Sequence, residues 1–298
     1  MAKLPAGIEI LPPSDDRIFK TLLTHPDAKP VLINVVSAVI ERTVIDVQIR
    51  NIEPPVMDIN EKAERFDVNC VIDSGDQVDV EMHSSRIEEI TEGHKSFLNK
   101  SIYYMTDLHS SQKSKGVKYY DFVRTYQVTF CEYTIFPQWP DFVSRFSMCR
   151  PNGEQVSDQI NMVVIEMSKL GSILKKPVEE LTLLEMWTLF FNFAPDLKYR
   201  DIINKVIDVK EEIGMASALL MEISKDEHER ALFRSRRMAE TDAISNLLTA
   251  EARGEARGVA QGEIRGISKV ALNMKKEGMP IEAIARLTNL SAQEIEKL

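Results

Sequence analysis

The 298-residue chain has few cysteines and no excess of positive charge, and each shortage excludes a class of protein. Its three cysteines, Cys70, Cys131 and Cys149, lie far apart and form no CxxC pair, so the sequence predicts neither a structural zinc site nor a disulfide framework. The formal net charge is −9, which lacks the overall basic character typical of nucleic-acid-binding proteins. A local basic patch is still compatible with this total, because net charge averages over the whole surface.

Long apolar runs are missing as well. No uninterrupted apolar segment reaches the roughly 20 residues that span a membrane. The first 13 residues lack the basic start and long apolar stretch of a secretory signal. We therefore expect no membrane association and a cytoplasmic location, in which the thiols stay reduced. The hydrophobic fraction of 44% and charged fraction of 28% are typical of a globular protein with one large domain or two ordinary ones.

The N-terminal half predicts alternating helices and strands. Apolar residues at helical spacing predict a helix over 16–40, interrupted at His25-Pro26, and a second helix over 94–115. Alternation of apolar and polar residues predicts the strands, which lie at 43–52, 66–72, 78–83, 125–136 and 161–167. In the first strand, Ile45, Val47 and Ile49 are expected to form the apolar face.

From Val178 onward the pattern is helical. A domain boundary is expected near residue 175, with a softer alternative near residue 140. The predicted units are therefore a domain at 14–175, a helical region at 176–249 and a helical tail at 250–298.

Four glycines in the tail recur every four residues, so they lie along one side of a helix; they are Gly254, Gly258, Gly262 and Gly266. A polar extended helix or flexible linker is favoured over a dimer seam. The chain ends with two short helical patterns, and Ser291 with Glu294 forms a capping box between them. A helical pair that packs the tail or contacts a partner is favoured over a weak helix-turn-helix motif.

The register of one hairpin follows from its apolar pattern. A turn signal at 73–76 separates two strands whose apolar residues occupy even-numbered positions. Opposed residues of an antiparallel pair share a face, so two even-numbered residues must be paired. A three-residue loop pairs Ile72 with Asp76 and meets this condition, whereas a two-residue loop does not. This register places Asp67 directly opposite Glu81, with Cβ atoms about 4.5–5.5 Å apart.

Two carboxylates this close repel each other, and a cation between them relieves the repulsion. Mg²⁺ suits the pair because it takes oxygen ligands and retains waters; Mn²⁺ is the second option. His83 follows Glu81 by two residues on the same face, where it could orient or deprotonate a metal-activated water for phosphodiester hydrolysis. The plainer interpretation, which the pattern alone favours, places these acids and Asp79 on the wet face of an ordinary hairpin.

Short motifs along the chain resemble, in order and spacing, those of the Rpn family of recombination-promoting nucleases, often called transposases, within the PD-(D/E)XK superfamily. The motifs are Asp16-x-x-Phe19-Lys20, Arg65-Phe66-Asp67-Val68, Val80-Glu81-Met82-His83, and the segment from Tyr103 to Gly116 with Tyr119. The tail is similar too, with its G-x-x-x-G repeat followed by Lys-Glu-Gly-Met-Pro-Ile-Glu-Ala-Ile-Ala. The likeness covers roughly residues 14–136 and 250–298.

The resemblance implies an α/β fold: an αβββαβ PD-(D/E)XK-like nuclease core with a mostly helical C-terminal region. It also implies Mg²⁺-dependent cleavage of DNA. Asp67 and Glu81 match the two acids that ligate metal, the Met82 carbonyl is a further ligand, and Asp16 matches an acid that supports the metal through water. His83 stands where the family usually has Gln and the wider superfamily Lys. Either His83 substitutes for that residue, or the activity is reduced.

The second helix and its exit form a local basic segment. Between residues 94 and 124, six basic residues oppose two acidic ones, and four tyrosines interleave with them. Basic side chains contact phosphates and release counterions. The predicted contacts to the DNA backbone are Lys100, Lys113, Lys115 and Lys118. The alternative is a solvated helix face with core tyrosines.

Three functions from different classes remain open on the sequence alone. The first is a Mg²⁺-dependent DNA endonuclease linked to recombination or mobile elements. The second is a catalytically weak or inactive DNA-binding or interaction protein that retains the fold, which the departure at His83 favours. The third is a scaffold whose glycine-striped tail forms homo-oligomers.

Overall fold

The chain, described by a computed structural model, folds into two compact units, Met1–Ser235 and Arg236–Leu298. The structure describes residues 3–50, 68–84, 86–113 and 116–298, with the side chains of 86–94 outside the description. The strands are β1 Val47–Ile49, β2 Val68–Ile72, β3 Gln77–His83, β4 Thr125–Cys131, β5 Val143–Cys149 and β6 Gln155–Glu166. The helices are α1 Asp16–Thr24, α2 Lys29–Ile40, α3 Arg86–Ser110, α4 Leu183–Phe193, α5 Arg200–Val209, α6 Glu211–Lys225, α7 Glu227–Lys276, α8 Ile281–Thr288 and α9 Ala292–Glu296.

The described strands form one mixed sheet in the order β1-β2-β3-β4-β6-β5. The pairs β1-β2, β2-β3 and β5-β6 are antiparallel, whereas β3-β4 and β4-β6 are parallel. Two parallel strands cannot be joined by a tight turn, so α3 makes the crossover between β3 and β4. The order of elements up to β4 confirms the αβββαβ prediction.

The predicted hairpin register is confirmed for the described residues. Val68 pairs with Val80 and Cys70 with Val78, and the Ile72 N–H donates to the Asp76 carbonyl at 3.0 Å. The three-residue loop between them contains Gly75 at φ 88°, a left-handed conformation that glycine adopts without a steric cost. Asp67, the predicted partner of Glu81, lies outside the described residues.

One face of the sheet is covered by the larger hydrophobic core. Even-numbered residues of β3 and β4 point into it, together with side chains from α1, α2 and α4. Phe130 lies with its ring centroid 5.9 Å from that of Phe19 and 5.3 Å from that of Phe191. Because α4 to α6 share this core with the sheet, the core is continuous past residue 175. The division into units at 14–175, 176–249 and 250–298 stays a prediction.

The other face of the sheet packs against α3. A smaller hydrophobic cluster there includes Phe97 and Met105 from the helix and Cys131 and Val164 from the strands. Odd-numbered residues of β3 and β4 point to this side. The plainer expectation of a wet face is wrong for Asp79, which is fully buried.

The edges of the sheet differ most from the sequence-based expectation. Within the described part of the strand predicted over 43–52, only the three residues of β1 are in a strand. The predicted apolar face is confirmed at Val47, which is buried, and wrong at Ile45, which is 78% exposed while its neighbour Val44 is buried. Strand β5 was not predicted, because its residues are mostly exposed and lack a clean alternation.

Helix α3 begins at Arg86 rather than near His94, and it ends at Ser110 rather than Lys115.

The second unit contains α8, α9 and most of α7. A small core forms around Ala271, Ile284 and Ile295. The predicted capping box is confirmed, since Ser291 and Glu294 exchange hydrogen bonds between side chain and backbone N–H. A Cβ added at any of the four tail glycines would meet nothing within 4 Å in the part of the chain that is described. Among the described residues, no neighbour therefore uses the close approach that such a stripe permits.

The buried carboxylate of Asp76 connects the hairpin to neighbouring segments by hydrogen bonds, and we expect its removal to destabilise the protein. Asp76 is 3% exposed; it accepts from the Arg42 guanidinium at 2.9 Å and from the Arg124 backbone N–H at 3.1 Å. Hydrogen bonds to a charged group contribute about 1.5–3 kcal/mol. We expect Asp76→Ala to lower the free energy of unfolding in urea by about 2 kcal/mol. Glu154→Ala, which removes an exposed i,i+4 pair, should change it by less than about 0.5 kcal/mol; equal effects would contradict the prediction.

Candidate active site

Glu81 lies on β3, in the interior of the sheet. Its register partner on the parallel strand β4 is Thr129, and alternation places both on the side of α3. Glu81 is partly buried, whereas Thr129 is fully buried. The predicted acid is therefore on a rigid central strand, which holds a functional side chain more accurately than a loop does.

A layer of buried polar side chains continues from Glu81 along the two strands. Asp79 and Gln127 are fully buried register partners, and the Gln127 amide donates to the Asp79 carboxylate at 2.8 Å. Thr129 Oγ1, Gln127 Oε1 and Gln77 Oε1 have no hydrogen-bond partner among the described residues. Buried polar atoms of this kind are uncommon in native proteins, and a functional role is one accepted reason for them.

His83 ends β3 on the same face as Glu81, as the alternation predicted. The side chain is 8% exposed, and its ring centroid lies 5.3 Å from that of Phe97 and 5.5 Å from that of Tyr133. Two aromatic rings thus fix the orientation of the imidazole. Met82 points to the opposite face and is buried in the larger core, so its predicted contribution concerns the backbone carbonyl alone.

The interior near these acids is poorly solvated. Burial raises the pKa of the Cys131 thiol well above its ordinary value, and the negative charges of Glu166 and Glu81 raise it further. Burial, with a smaller contribution from Asp79, raises the pKa of Cys70 to about 12. Nearby negative charge in a poorly solvated region favours a bound cation.

The other predicted metal-site residues are placed differently. Asp16 begins α1, and its carboxylate accepts from the Arg17 N–H at 2.7 Å. Helix α1 packs on the face of the sheet opposite to Glu81. Within the described ranges, no group of three or more His, Cys, Asp and Glu side chains is arranged to hold a metal ion. Asp67 falls outside these ranges, so the complete predicted set stays a prediction.

The predicted DNA-contacting lysines lie along α3 and in the segment after it. Lys100 is partly buried on α3, with its ammonium 5.7 Å from the ring centroid of Tyr104. Lys113 and Lys118 are exposed. Lys115 lies outside the described residues. The alternative prediction, that the tyrosines belong to the core, is wrong for Tyr119 and Tyr120, which are exposed.

Sequence reasoning missed Gln127 and Thr129. The signal was present, since polar residues alternate with Tyr126, Val128 and Phe130 along β4. An amphipathic strand ordinarily indicates one solvated face. Only the position of α3 shows that this polar face is enclosed.

A mixed sheet with helices on both faces, and a glutamate beside a buried polar layer on its central strands, defines a PD-(D/E)XK-like α/β nuclease fold. Residues 13–250 match the profile of the family described as PD-(D/E)XK nuclease family transposase, and the chain belongs to that family. No curated protein and no solved structure matched the chain.

Membership of this family supports a coarse functional assignment. It indicates a hydrolase of nuclease type with DNA as substrate, and nucleases of this superfamily generally use divalent metal ions. Across the described part of the chain, no helix combines the length and apolar character needed to cross a membrane.

Proposed function

We propose that the protein is a Mg²⁺-dependent DNA endonuclease in which Asp67 and Glu81 hold the metal ion. The observation that carries this proposal is the hairpin register. The last described pair, Val68 with Val80, is one position before Asp67 and Glu81. Glu81 is partly buried and lies next to the layer of buried polar side chains on β3 and β4. Its surroundings are poorly solvated.

The donor set fits a hard divalent cation. Carboxylate oxygens of Asp67 and Glu81, with the Met82 carbonyl, are the ligand types that Mg²⁺ prefers; Mn²⁺ accepts the same set. When bound, such an ion polarises a phosphate oxygen and lowers the pKa of water. Asp16 is assigned the supporting role that its motif implies, although it lies on a helix at the opposite face.

His83 has the role of proton acceptor in this proposal. Neutral imidazole can take a proton from the attacking water, which the glutamine usual at this position cannot do. The contacts to Phe97 and Tyr133 restrict the ring to one orientation. Lys100, Lys113, Lys115 and Lys118 are assigned to the DNA backbone. A link to recombination or mobile elements, and self-association through the tail, belong to the proposal as well.

The test is cleavage of supercoiled plasmid with Mg²⁺ or Mn²⁺. We expect the wild type to nick the plasmid, and Glu81→Ala and Asp67→Ala to lose at least about 100-fold in rate, because even residues that only support a metal ligand cost 10–100-fold when replaced. Glu154→Ala, an exposed glutamate on the same unit, is the matched control and should nick like the wild type.

A titration with Mn²⁺ under the same conditions should show binding to the wild type that is lost in Glu81→Ala. Nicking that survives both acid replacements would contradict the assigned site. A folded wild type that binds DNA and cuts nothing would favour the second candidate, a DNA-binding protein that retains the fold. The enclosed position of His83, where the family usually has glutamine, is the observation in favour of that candidate.

A further inference from the structure

Four residues after α3 form an exposed aromatic and basic surface, here called the tyrosine–lysine platform: Lys113, Lys118, Tyr119 and Tyr120. Tyr119 is 74% exposed and Tyr120 is 76% exposed. Scattered apolar residues are normal on a protein surface. Here two adjacent tyrosines lie next to two lysines, and the tyrosines contribute little to the core. Folding therefore does not explain why these aromatic and basic side chains are grouped together.

Each tyrosine of the platform is paired with a lysine. The Lys113 ammonium lies 5.6 Å from the ring centroid of Tyr119, and the Lys118 ammonium lies 5.2 Å from that of Tyr120. Aromatic rings interleaved with positive charges are the combination by which proteins bind single-stranded nucleic acid. The rings stack on bases, while the ammonium groups contact the phosphates between them.

Described neighbours contact the platform beside Lys113 and at Tyr119. The Gln112 side chain donates to the Val123 carbonyl at 3.0 Å and accepts from the Val123 N–H at 2.8 Å. The Tyr119 ring also packs on Phe122, which in turn packs on His109 of α3. A surface that is already ordered loses less conformational entropy on binding, so affinity is higher.

The charge of this segment is the reverse of the charge of the whole protein. Residues 112–120 contain three lysines and no acidic residue, in a chain of net charge −9. The nearest acid in sequence, Asp121, is engaged by the Lys118 backbone N–H at 3.4 Å. The platform is therefore complementary to a polyanion.

The position of the platform relative to Glu81 follows from α3. His109, in the last turn of the helix, contacts Thr125 at 3.0 Å, which fixes this end of α3 at the start of β4. Thr125 pairs with Gln77, four residues before Glu81 on β3. Four residues of strand span about 13 Å, so along β3 this end of α3 is separated from Glu81 by the length of about four nucleotides of one DNA strand.

We propose that the tyrosine–lysine platform binds single-stranded DNA by stacking unpaired bases on Tyr119 and Tyr120 while Lys113 and Lys118 contact phosphates. Combined with the proposed endonuclease function, on which this second step rests, the platform selects DNA that has an unpaired segment a few nucleotides from the cleaved bond. Duplex DNA keeps its bases stacked internally and offers the tyrosines no free base faces.

The test is fluorescence anisotropy with the full chain in EDTA, using a labelled oligothymidine and a labelled blunt-ended duplex annealed from two complementary strands. Tyr119→Ala/Tyr120→Ala should weaken binding of the oligothymidine by about 100-fold, since each of the two stacked bases contributes about one factor of ten. Binding of the duplex should change less than twofold. Tyr119→Phe/Tyr120→Phe keeps the rings and should bind the oligothymidine like the wild type. Melting temperatures should be unchanged, because both side chains are exposed.

Three results would overturn the inference: no loss in the alanine variant, an equal loss for both DNAs, or a wild type that does not bind the oligothymidine. Because binding in EDTA requires neither metal nor cleavage, the two proposals can fail separately. Tyrosine-dependent binding without plasmid nicking would retain the platform and reject the endonuclease. Metal-dependent nicking with wild-type affinity in the alanine variant would do the opposite.

Discussion

Replacing His83 by alanine is expected to reduce plasmid nicking by about 100- to 10,000-fold, the range that a positioned general base contributes. His83→Gln should also reduce nicking, because an amide cannot accept the proton of the attacking water. Initial rates at saturating Mg²⁺ measure both effects.

A matched control is His228→Gln, since His228 is exposed on α7; it should keep the wild-type rate. Faster nicking by His83→Gln than by the wild type would contradict the proton-acceptor role. That outcome would show that the departure from the glutamine usual in the family reduces activity.

Replacing Lys169 by methionine is expected to lower the free energy of unfolding by about 3–5 kcal/mol, the cost of leaving a buried charge without its partner. Glu166 is fully buried and accepts from the Lys169 ammonium at 2.6 Å. The same carboxylate accepts from the Ile135 and Phe136 N–H groups at 2.7 and 2.9 Å. The ammonium also donates to the Phe136 and Trp139 carbonyls. Equilibrium unfolding in urea, with unchanged slope, measures the loss.

Two comparisons make this result specific. Arg150→Met removes an exposed pair and should change stability by less than about 1 kcal/mol. Glu166→Gln combined with Lys169→Met removes both charges while leaving an amide oxygen to accept from the Ile135 and Phe136 N–H groups, and it should be more stable than Lys169→Met alone. A loss below 1 kcal/mol in Lys169→Met, or a further loss in the double variant, would contradict the assignment of a buried, mutually dependent pair.

The hairpin that carries Glu81 was predictable from sequence because its pattern is local. Alternation in β2 and β3 fixes which residues face the core, and the short turn leaves a single loop length that satisfies both strands. A shift by one residue would expose Val78 and Val80, which are fully buried. The same argument gave the face on which Glu81 and His83 lie.

The enclosure of the site was not predictable, because burial is decided by elements distant in the chain. Gln127 and Thr129 alternate with apolar residues as on any half-solvated strand, yet α3 covers them. The predictions for the edge strand β5 and for Ile45 were wrong for a related reason. Residues at the edge of a sheet are only partly buried, so their hydrophobicity is a weak indication of their environment.

The parallel pairing of β3 with β4 has a consequence for how the protein folds. Strands β2 and β3 form a local hairpin, in which Val71 pairs with Gln77, whereas Gln127 meets Asp79 across a sequence separation of 48 residues. Closing such a loop costs entropy before the pairing offsets it, so the central strands join late. At 5–20 residues per second, a ribosome needs about 2–10 s to pass from one strand to the other. A nascent chain therefore carries the glutamate for seconds before its polar layer is complete.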